Sequence, residues 1–475
     1  METATQALHR LTSYQPDREW TDVVADPRVV QDLQVNDVSR LPWFFKRYPD
    51  PLPRVPLPRD LPVTTSSAVA VLAGTAEVPP IDPELAHLSR LLHLSAGIVR
   101  TSERPYGTYP FRAAGSAGGR FPLEVYVAVP EGGVLPAGVH WYDPPDHALV
   151  QIAPPPEGGA PAIVVTGVPW RTGWRYRERG YRHVYWDAGT MLAQMLAVAD
   201  SAGIPVGLYT RFPDVEVAAL VGADRLHEFP VAAVAMGDGA PALGPNGPAA
   251  EGGVDSDPVE FPLVTGAQRA GERDALAPPW DRGAPVDAYG VGSEPVEAVV
   301  LARGSQRRMD PSRGLPQDVL RISMGAAMRG IDVPHRVVVN DVDDLDPGVY
   351  RWPDLSAPTR RDALRDELHR VCLDQALARD AAFVVIAATD VGALDDREYR
   401  EAQLAAGLVE GRLHLLAYAL GASASGMTFL DSEVPSLLGE RMDALLFTCV
   451  GVPEYAATAG GPPGAPTSVR TPMPR

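Results

Sequence analysis

Two long segments of the chain repeat one pattern of apolar and polar positions. The segment 180–203 reads GYRHVYWDAGTMLAQMLAVADSAG, and the segment 398–421 reads EYREAQLAAGLVEGRLHLLAYALG. Apolar residues recur in both at helical spacing and each segment ends on a glycine, which predicts one long, largely buried helix in each. Three landmarks keep the same offset of 218 residues (399 − 181) and indicate an internal duplication: Tyr181 and Tyr399, Gly189 and Gly407, Gly203 and Gly421.

Short apolar runs on either side of these helices predict strands. Runs of five to eight apolar residues bounded by turn residues are typical of buried strands. Helices beside short, scattered strands indicate an α+β layered domain that is used twice. The predicted strands are Leu123–Val129, Ala162–Thr166, Val231–Met236, Phe383–Ala388 and Leu445–Val450.

Proline and glycine divide the two copies from each other. The segment Gly237–Pro258 reads GDGAPALGPNGPAAEGGVDSDP, and its composition disfavours regular structure and leaves few apolar residues to pack. It therefore predicts a linker between domains. The predicted boundaries are an N-terminal arm (1–60), a first domain (61–240), a linker (241–290) and a second domain with a C-terminal extension (291–475).

Composition and charge narrow the class of protein. Of the 475 residues 45% are hydrophobic, and the formal net charge of −18 disfavours nonspecific attraction to nucleic acid or to anionic lipid. No apolar run is long enough to span a bilayer, and the N-terminus lacks the apolar core of a signal peptide. With only Cys372 and Cys449, a disulfide framework is not expected and the cytoplasm is the predicted compartment. The ten histidines lack metal-ligand spacing, so no metal site is predicted.

Arginine and serine alternate at the start of the second half, in the stretch LARGSQRRM. Arg303, Ser305 and Arg307 would place two guanidiniums and a hydroxyl on one side of an extended segment. Such a set of donors suits a phosphate group. A solvated cluster of surface arginines is an equally good interpretation of the same residues.

Small residues occur in two further places where a ligand could approach the backbone. RAAGSAGGRFPLEVYVAV spans Arg112–Val129, and GASASGMTF follows the second long helix. An ordinary glycine-rich turn accounts for the first stretch, and tight packing of helix on sheet accounts for the second. No dinucleotide-binding fingerprint, nucleophile elbow or Walker loop is present, which disfavours a classical dinucleotide fold and a serine hydrolase.

Arginine and tyrosine are dense just before the first long helix, in the stretch GWRYRERGYRHVYWDAG. Arg175 and Tyr176 would serve in charge stabilisation and proton transfer if they face a cavity. A lattice of cation–π contacts and ion pairs is the alternative interpretation.

Taken together, these motifs resemble the flavin-dependent nitroreductase superfamily, and most closely its SagB-like branch. That branch contains the dehydrogenases of thiazole- and oxazole-modified peptide biosynthesis. The resemblance covers roughly Leu52 to Gly451. Its motifs are LSRLLHLSAGIVR, RAAGSAGGRFPLEVYVAV, GVHWYDPPDHALV and RYRERGYRHVYWDAG in the first half, and RGSQRRM, the Tyr399–Arg400 helix and GASASGMTF in the second.

In this superfamily two protomers share an interface and FMN lies between them, and the resemblance implies a role for each motif. It assigns the FMN phosphate to Arg303, Ser305 and Arg307. It places the flavin ring beside Gly426, Met427 and Thr428, and the loop of the partner protomer at Gly115, Ser116, Ala117, Gly118 and Gly119. A basic residue near the C-terminus often helps to hold the phosphate in the family, and Arg470 is the candidate here.

The two halves are unequal in these motifs. The first half reads LPVTTSSAVAVLAG where the arginine-containing arm would stand, and the second reads GIDVPHRVVVND where the small-residue loop would stand. Each half therefore keeps what the other lacks. The resemblance implies two tandem nitroreductase-like domains of α+β class that form an intramolecular pseudo-dimer around one FMN, and it leaves a further homodimer open.

The SagB-like branch removes two hydrogens from a thiazoline or oxazoline ring in a ribosomally made peptide, so the resemblance implies a modified peptide as substrate. Branch members carry a Lys-Tyr pair that is Arg175–Tyr176 here. Arginine is permanently charged, which assigns the role of base to Tyr176. The alternatives are an NAD(P)H-dependent reductase of nitro, quinone or enone compounds, and a non-catalytic flavin-binding subunit of a complex with a cyclodehydratase.

Overall fold

The computed structural model describes residues 2–18, 22–49, 51–288 and 292–470. The arm, first domain and linker contain α1 (Ala4–Leu11), β1 (Arg54–Pro56), α2 (Ala68–Ala73), α3 (Leu85–Ala96), β2 (Ile98–Arg104), β3 (Gly107–Arg112), β4 (Leu123–Val129), β5 (Gly138–Asp143), β6 (Ala148–Ala153), β7 (Ala162–Gly167), α4 (Pro169–Tyr176), α5 (Gly180–Ser201), β8 (Val206–Tyr209), α6 (Asp214–Val221), β9 (Phe229–Met236) and α7 (Pro262–Ala270). The second domain contains α8 (Val296–Ala302), α9 (Gln317–Ala327), β10 (His335–Val339), β11 (Gly348–Arg351), β12 (Arg360–Arg361), α10 (Arg365–Val371), α11 (Ala376–Asp380), β13 (Phe383–Thr389), α12 (Asp396–Ala419), β14 (Ser423–Met427), α13 (Val434–Leu438), β15 (Asp443–Gly451) and β16 (Thr467–Ser468).

Each half builds one large antiparallel sheet, and the two sheets share the topology of five strands. The first sheet has the strand order β1-β6-β5-β4-β7-β9-β8, and the second has the order β12-β11-β10-β13-β15-β14. The five strands β5-β4-β7-β9-β8 correspond in order and connection to β11-β10-β13-β15-β14. The predicted duplication is therefore confirmed, and so are the five predicted strands, which are β4, β7, β9, β13 and β15.

The two long helices predicted from the repeat are α5 and α12, and they pack against each other. Both are followed by a glycine in the left-handed conformation, Gly203 at φ 72° and Gly421 at φ 77°. A Cβ atom on Gly189 would overlap the backbone of α12 at Leu404, and one on Gly407 would overlap the backbone of α5 at Trp186. The duplicated glycines thus mark the crossing point, where the two helix backbones are in contact.

The linker is packed on the protein rather than loosely connecting its domains. The proline- and glycine-rich stretch Gly237–Pro258 forms no helix or named strand, whereas the rest of the predicted linker 241–290 contains α7. Leu263, Val264 and Ala267 of this helix are buried, and Phe261 just before it packs on Gly173. The short apolar run FPLV follows the proline- and glycine-rich stretch and supplies the face that α7 buries.

The C-terminal extension crosses back from the second domain to the first. After β15 the chain passes over the segment 303–307, where Tyr455 Oη accepts a hydrogen bond of 3.2 Å from Arg307 N. Its strand β16 then pairs in parallel with β2 of the first domain. The extension therefore joins the two halves on the side where β2 and α8 lie.

Membrane-spanning and metal-binding features were searched for over the described ranges. No helix there is both long enough and apolar enough to cross a bilayer. Over the same ranges no group of three or more His, Cys, Asp or Glu side chains is arranged to hold a metal ion. Both cysteine thiols are buried.

Candidate functional site

A polar cluster lies on one side of the α5–α12 crossing. Thr190 of α5 donates a hydrogen bond of 3.0 Å from Oγ1 to Glu410 Oε2 of α12, and His414 Nε2 lies 3.7 Å from Glu410 Oε1. The pseudo-equivalent positions at the offset of 218 are all apolar, so the polar cluster exists on one side of the crossing only. Those positions are Leu408 for Thr190, Leu192 for Glu410 and Leu196 for His414.

Arg303 brings a buried positive charge to this cluster. It follows α8 directly and is only 3% exposed. One Nη donates a hydrogen bond of 3.3 Å to His414 Nδ1, the other donates to the carbonyl of Ala113, and Nε has no hydrogen-bond partner among the described residues. Burial lowers the pKa of His414 to about 3, so its ring is neutral. Burial, together with the charge of Arg100, lowers the pKa of Arg303 to about 10, which still leaves a buried cation whose hydrogen-bond partners are uncharged.

The small-residue loop 115–119 of the first half lies directly against Arg303 of the second half. A Cβ on Gly115 would be 3.4 Å from an Arg303 Nη. Asp187 of α5 fixes the loop, because it accepts hydrogen bonds from Ser116 Oγ and, at 2.9 Å, from Ala117 N. Burial raises the pKa of Asp187 to about 8. The structure therefore brings together two motifs that stand almost 190 residues apart in the chain (303 − 115).

Gly118 makes room for the predicted catalytic pair. Its φ is 57°, and a Cβ there would lie 2.5 Å from Tyr176 Oη and 2.8 Å from Arg175 Cδ. The Tyr176 ring stacks on His183, with centroids 4.1 Å apart and an interplanar angle of 8°. Burial raises the pKa of Tyr176, although the adjacent Arg175 opposes the shift. Among the described residues, the neighbours that require a glycine at position 118 are thus Arg175 and Tyr176.

The residues predicted beside the ring form a strand rather than a loop. Gly426 and Met427 belong to β14, which pairs with β15 at the edge of the second sheet. Successive side chains of a strand point to opposite faces. Met427 accordingly lies in the core of the second domain, whereas Gly426 contacts the Glu410 carboxyl on the other face. Thr428 follows the strand, and its buried Oγ1 has no hydrogen-bond partner in the described part of the chain.

Arg303 and Arg307 do not share their neighbours. Ser305 and Arg307 are exposed. Burial lowers the pKa of Arg307, and the nearby positive charges of Arg104 and Arg175 lower it further. Arg470 is exposed beyond β16, and no described contact joins it to Arg303. The structure thus places Arg303 in the polar cluster, whereas Arg307 lies within electrostatic range of Arg104 and Arg175.

The pseudo-equivalent side of the crossing is filled by the chain itself. Gly74 is the counterpart of Arg303, because it follows α2 as Arg303 follows α8. A Cβ on Gly74 would overlap the guanidinium of Arg329. The linker crosses the same region, because Trp280 N donates a hydrogen bond of 2.6 Å to Leu208 O of β8 and Val286 N donates one of 2.9 Å to Ala73 O. We call this region the closed position.

Sequence reasoning missed Asp187 and Glu410. The available signal was a charged residue on the buried face of each long helix, at positions where the other copy has Ala405 and Leu192. Burial raises the pKa of Glu410 to about 7, although the hydrogen bond from Thr190 and the charge of Arg303 oppose the shift. A carboxyl group with this pKa can exchange a proton near neutral pH.

The raised pKa of Glu410 predicts a dependence of stability on pH. The folded chain holds this proton more tightly than the unfolded chain, whose carboxyl has its ordinary pKa of 4.5. The contribution to stability is therefore full below pH 4.5 and is lost as the pH rises to about 7. We expect Glu410→Gln to reduce the fall in unfolding free energy between pH 5 and pH 8 by up to about 3 kcal/mol, measured by urea denaturation. Glu216→Gln on the exposed face of α6 is the control, and an unchanged pH slope in Glu410→Gln would contradict the assignment.

Comparison with known proteins agrees with this architecture. No protein-family model matches the chain. A curated relative named "Putative nitroreductase MJ1384" from Methanocaldococcus jannaschii is 27% identical over 168 residues, which cover 32% of this chain and 80% of the relative. The crystal structure of a "putative nitroreductase" from Anabaena variabilis superposes with a TM-score of 0.68 at 22% identity, and covers 96% of this chain and 100% of that one. Another "putative nitroreductase", from Ralstonia eutropha, covers 41% of this chain and 95% of its own, with a TM-score of 0.30 at 21% identity.

The match to the Anabaena structure extends over both halves of the chain. The predicted fold class is therefore confirmed: two tandem nitroreductase-like domains of mixed helix and sheet that pair within one chain.

Proposed function

We propose that the chain is an FMN-dependent oxidoreductase that holds one FMN between its two halves. The observation that carries the proposal is the inequality of the two pseudo-equivalent positions. One has a buried cation, a polar cluster and a small-residue loop. The other has leucines at the equivalent helix positions, is crossed by the linker, and is filled at Gly74 by the Arg329 side chain.

The residues of the polar position fit a phosphorylated flavin. A buried guanidinium without a charged hydrogen-bond partner favours an anion, and the unpartnered Nε of Arg303 leaves a donor for a phosphate oxygen. Gly426 and Thr428 would line the ring from the second half, and the loop 115–119 would approach it from the first half. When bound, FMN supplies the transfer of two electrons as a hydride.

For the substrate we propose a thiazoline or oxazoline ring in a peptide, which would lose two hydrogens to become aromatic. This rests on the SagB-like motifs and on the position of Tyr176 against Gly118. The reaction requires a group that accepts the proton removed from the ring. Tyr176 is the group predicted from the sequence, and Glu410, whose pKa of about 7 suits proton transfer at neutral pH, is a second acceptor.

A reductase of nitro, quinone or enone compounds is the second candidate, and one observation favours it. Burial raises the pKa of Tyr176 and thus keeps its phenol protonated. A protonated phenol is suited to donate a proton to a substrate that is being reduced, with NAD(P)H as the source of electrons.

Purified protein distinguishes these possibilities. We expect a yellow protein with about one FMN per chain, identified by absorbance and mass spectrometry. Loss of two mass units from a thiazoline peptide, without a nicotinamide cofactor, would support the dehydrogenase. Rapid bleaching of the flavin by NADPH would support the reductase. A colourless protein that does not bind added FMN, or two flavins per chain, would contradict the proposal.

Tyr176→Phe tests the role of the phenol in either reaction. Because a positioned acid or base typically contributes 100-fold or more, we expect the turnover rate to fall by about that factor while the FMN content stays unchanged. Tyr209→Phe is the control, because this buried tyrosine lies on β8 at the closed position. Equal turnover rates in wild type and Tyr176→Phe would remove Tyr176 from the mechanism.

A further inference from the structure

Four arginines near Gly118 have no acidic partner, although acidic residues outnumber basic ones in the chain by 60 to 42. Among the described residues, none of the four forms an ion pair, whereas several buried arginines elsewhere pair with carboxylates at 2.5–2.9 Å: Arg90, Arg171, Arg179 and Arg397. We call them the four-arginine cluster: Arg104, Arg120, Arg175 and Arg307.

Tyr109 connects two members of the cluster to the small-residue loop. Its hydroxyl donates a hydrogen bond of 2.6 Å to the carbonyl of Gly119 and accepts one of 3.4 Å from an Nη of Arg120. The guanidinium carbon of Arg104 lies 5.9 Å from the Tyr109 ring centroid. Arg120 is only 3% exposed, and its other Nη has no hydrogen-bond partner in the described ranges.

The other two members lie on the side of Tyr176. The Arg175 side chain packs on Gly118, and its buried Nε has no hydrogen-bond acceptor within the described chain. Arg307 is close enough to Arg104 and Arg175 for their charges to lower its pKa, although burial is the larger cause. The cluster thus combines unused donors with uncompensated positive charge beside the predicted catalytic tyrosine.

Gathering like charges is unfavourable unless an anion offsets it, and guanidiniums bind oxyanions through paired hydrogen bonds. We propose that the four-arginine cluster binds an oxyanion, phosphate or carboxylate, of the ligand that reacts at Tyr176. The proposal rests on the proposed function in one respect, namely that this ligand is the reaction partner of the flavin. The cluster is separate from Arg303, whose partners are His414 and Ala113.

Two kinds of ligand carry such a group: NADPH through its 2′-phosphate, and a peptide through a carboxylate. The two sources are distinguished by matched pairs of probes, NADPH against NADH and a thiazoline peptide acid against its C-terminal amide. A preference of at least 10-fold for NADPH assigns the cluster to the dinucleotide. A preference of the same size for the peptide acid assigns it to the peptide.

Pyrophosphate is the direct probe, titrated calorimetrically into the protein as purified. We expect wild type to bind it and Arg104→Gln, Arg120→Gln and Arg175→Gln each to weaken binding at least 10-fold with unchanged FMN content. Arg104 is exposed, so its variant tests the cluster without disturbing the core. Arg321→Gln, at an exposed position on α9, is the control.

Three results would overturn the proposal: no pyrophosphate binding by wild type, unchanged binding by the variants, or loss of FMN in parallel with loss of pyrophosphate binding. The last would assign the cluster to the phosphate of the cofactor. If the protein contains no FMN but binds pyrophosphate through these arginines, the proposed function fails and the oxyanion site stands.

Discussion

Replacing Arg303 with alanine is expected to release FMN from the protein. In the proposed complex Arg303 donates to the phosphate from a position that is 3% exposed, and a hydrogen bond to a charged group contributes about 1.5–3 kcal/mol. The dissociation constant should therefore rise by about 10- to 150-fold. The measurement is a fluorescence titration of FMN into protein from which the flavin has been removed.

Arg329→Ala is the matched control for this experiment. Arg329 fills the space at Gly74, the counterpart of Arg303, and donates a hydrogen bond of 2.8 Å to Leu72 O. Its loss removes contacts of the closed position and should leave FMN affinity within a factor of two or so of wild type. Retention of flavin by Arg303→Ala, or its release by Arg329→Ala, would contradict the assignment of FMN to the position of Arg303.

Gly407→Val is expected to separate α5 from α12 and to destabilise the whole chain. The new side chain would overlap the backbone of α5 at Trp186, and backbone atoms cannot rotate away as a side chain can. Overpacking of a tight interface costs about 1–3 kcal/mol. We expect the upper end of that range, measured as the urea midpoint multiplied by the slope of the transition.

Gly266→Val provides the comparison within a helix. Gly266 is an exposed position of α7, and a Cβ there has no neighbour within 4 Å. This variant should lie within about 1 kcal/mol of wild type, because helix propensity alone changes. Equal losses in the two variants would mean that the crossing of α5 and α12 is not the reason for the duplicated glycine.

The sequence alone was sufficient for the elements that follow a regular pattern. The long helices, their terminal glycines and the five buried strands were each predicted, because period and turn residues encode them locally. The duplication was visible as matching glycines at a constant offset, and the resemblance to the nitroreductase superfamily added the pairing of the halves. The difference between the two halves in the arginine-containing segment was also visible, because arginine is present at 303 and absent from the stretch before Gly74.

What could not be predicted depends on contacts between distant segments. Asp187 accepts hydrogen bonds from residues 116 and 117, and Glu410 contacts Gly426. No motif or spacing in the sequence indicates either contact. The strand β14 resembled a loop because its residues are small, and only its pairing with β15 makes it regular. The different surroundings of Arg303 and Arg307 likewise follow from contacts with distant segments, since Arg303 contacts His414 and Ala113 and the backbone of Arg307 contacts Tyr455.

The route of the linker has a consequence for how such a chain can evolve. In a dimer of separate, identical subunits, both ligand sites are encoded by the same residues and must be kept or lost together. In the proposed arrangement the peptide that joins the halves fills the counterpart of the FMN position, through the backbone contacts of Trp280 and Val286. A second site of that kind would require a new route for the connection between the domains. The proposed arrangement therefore limits the chain to one site and leaves the filled half free to diverge.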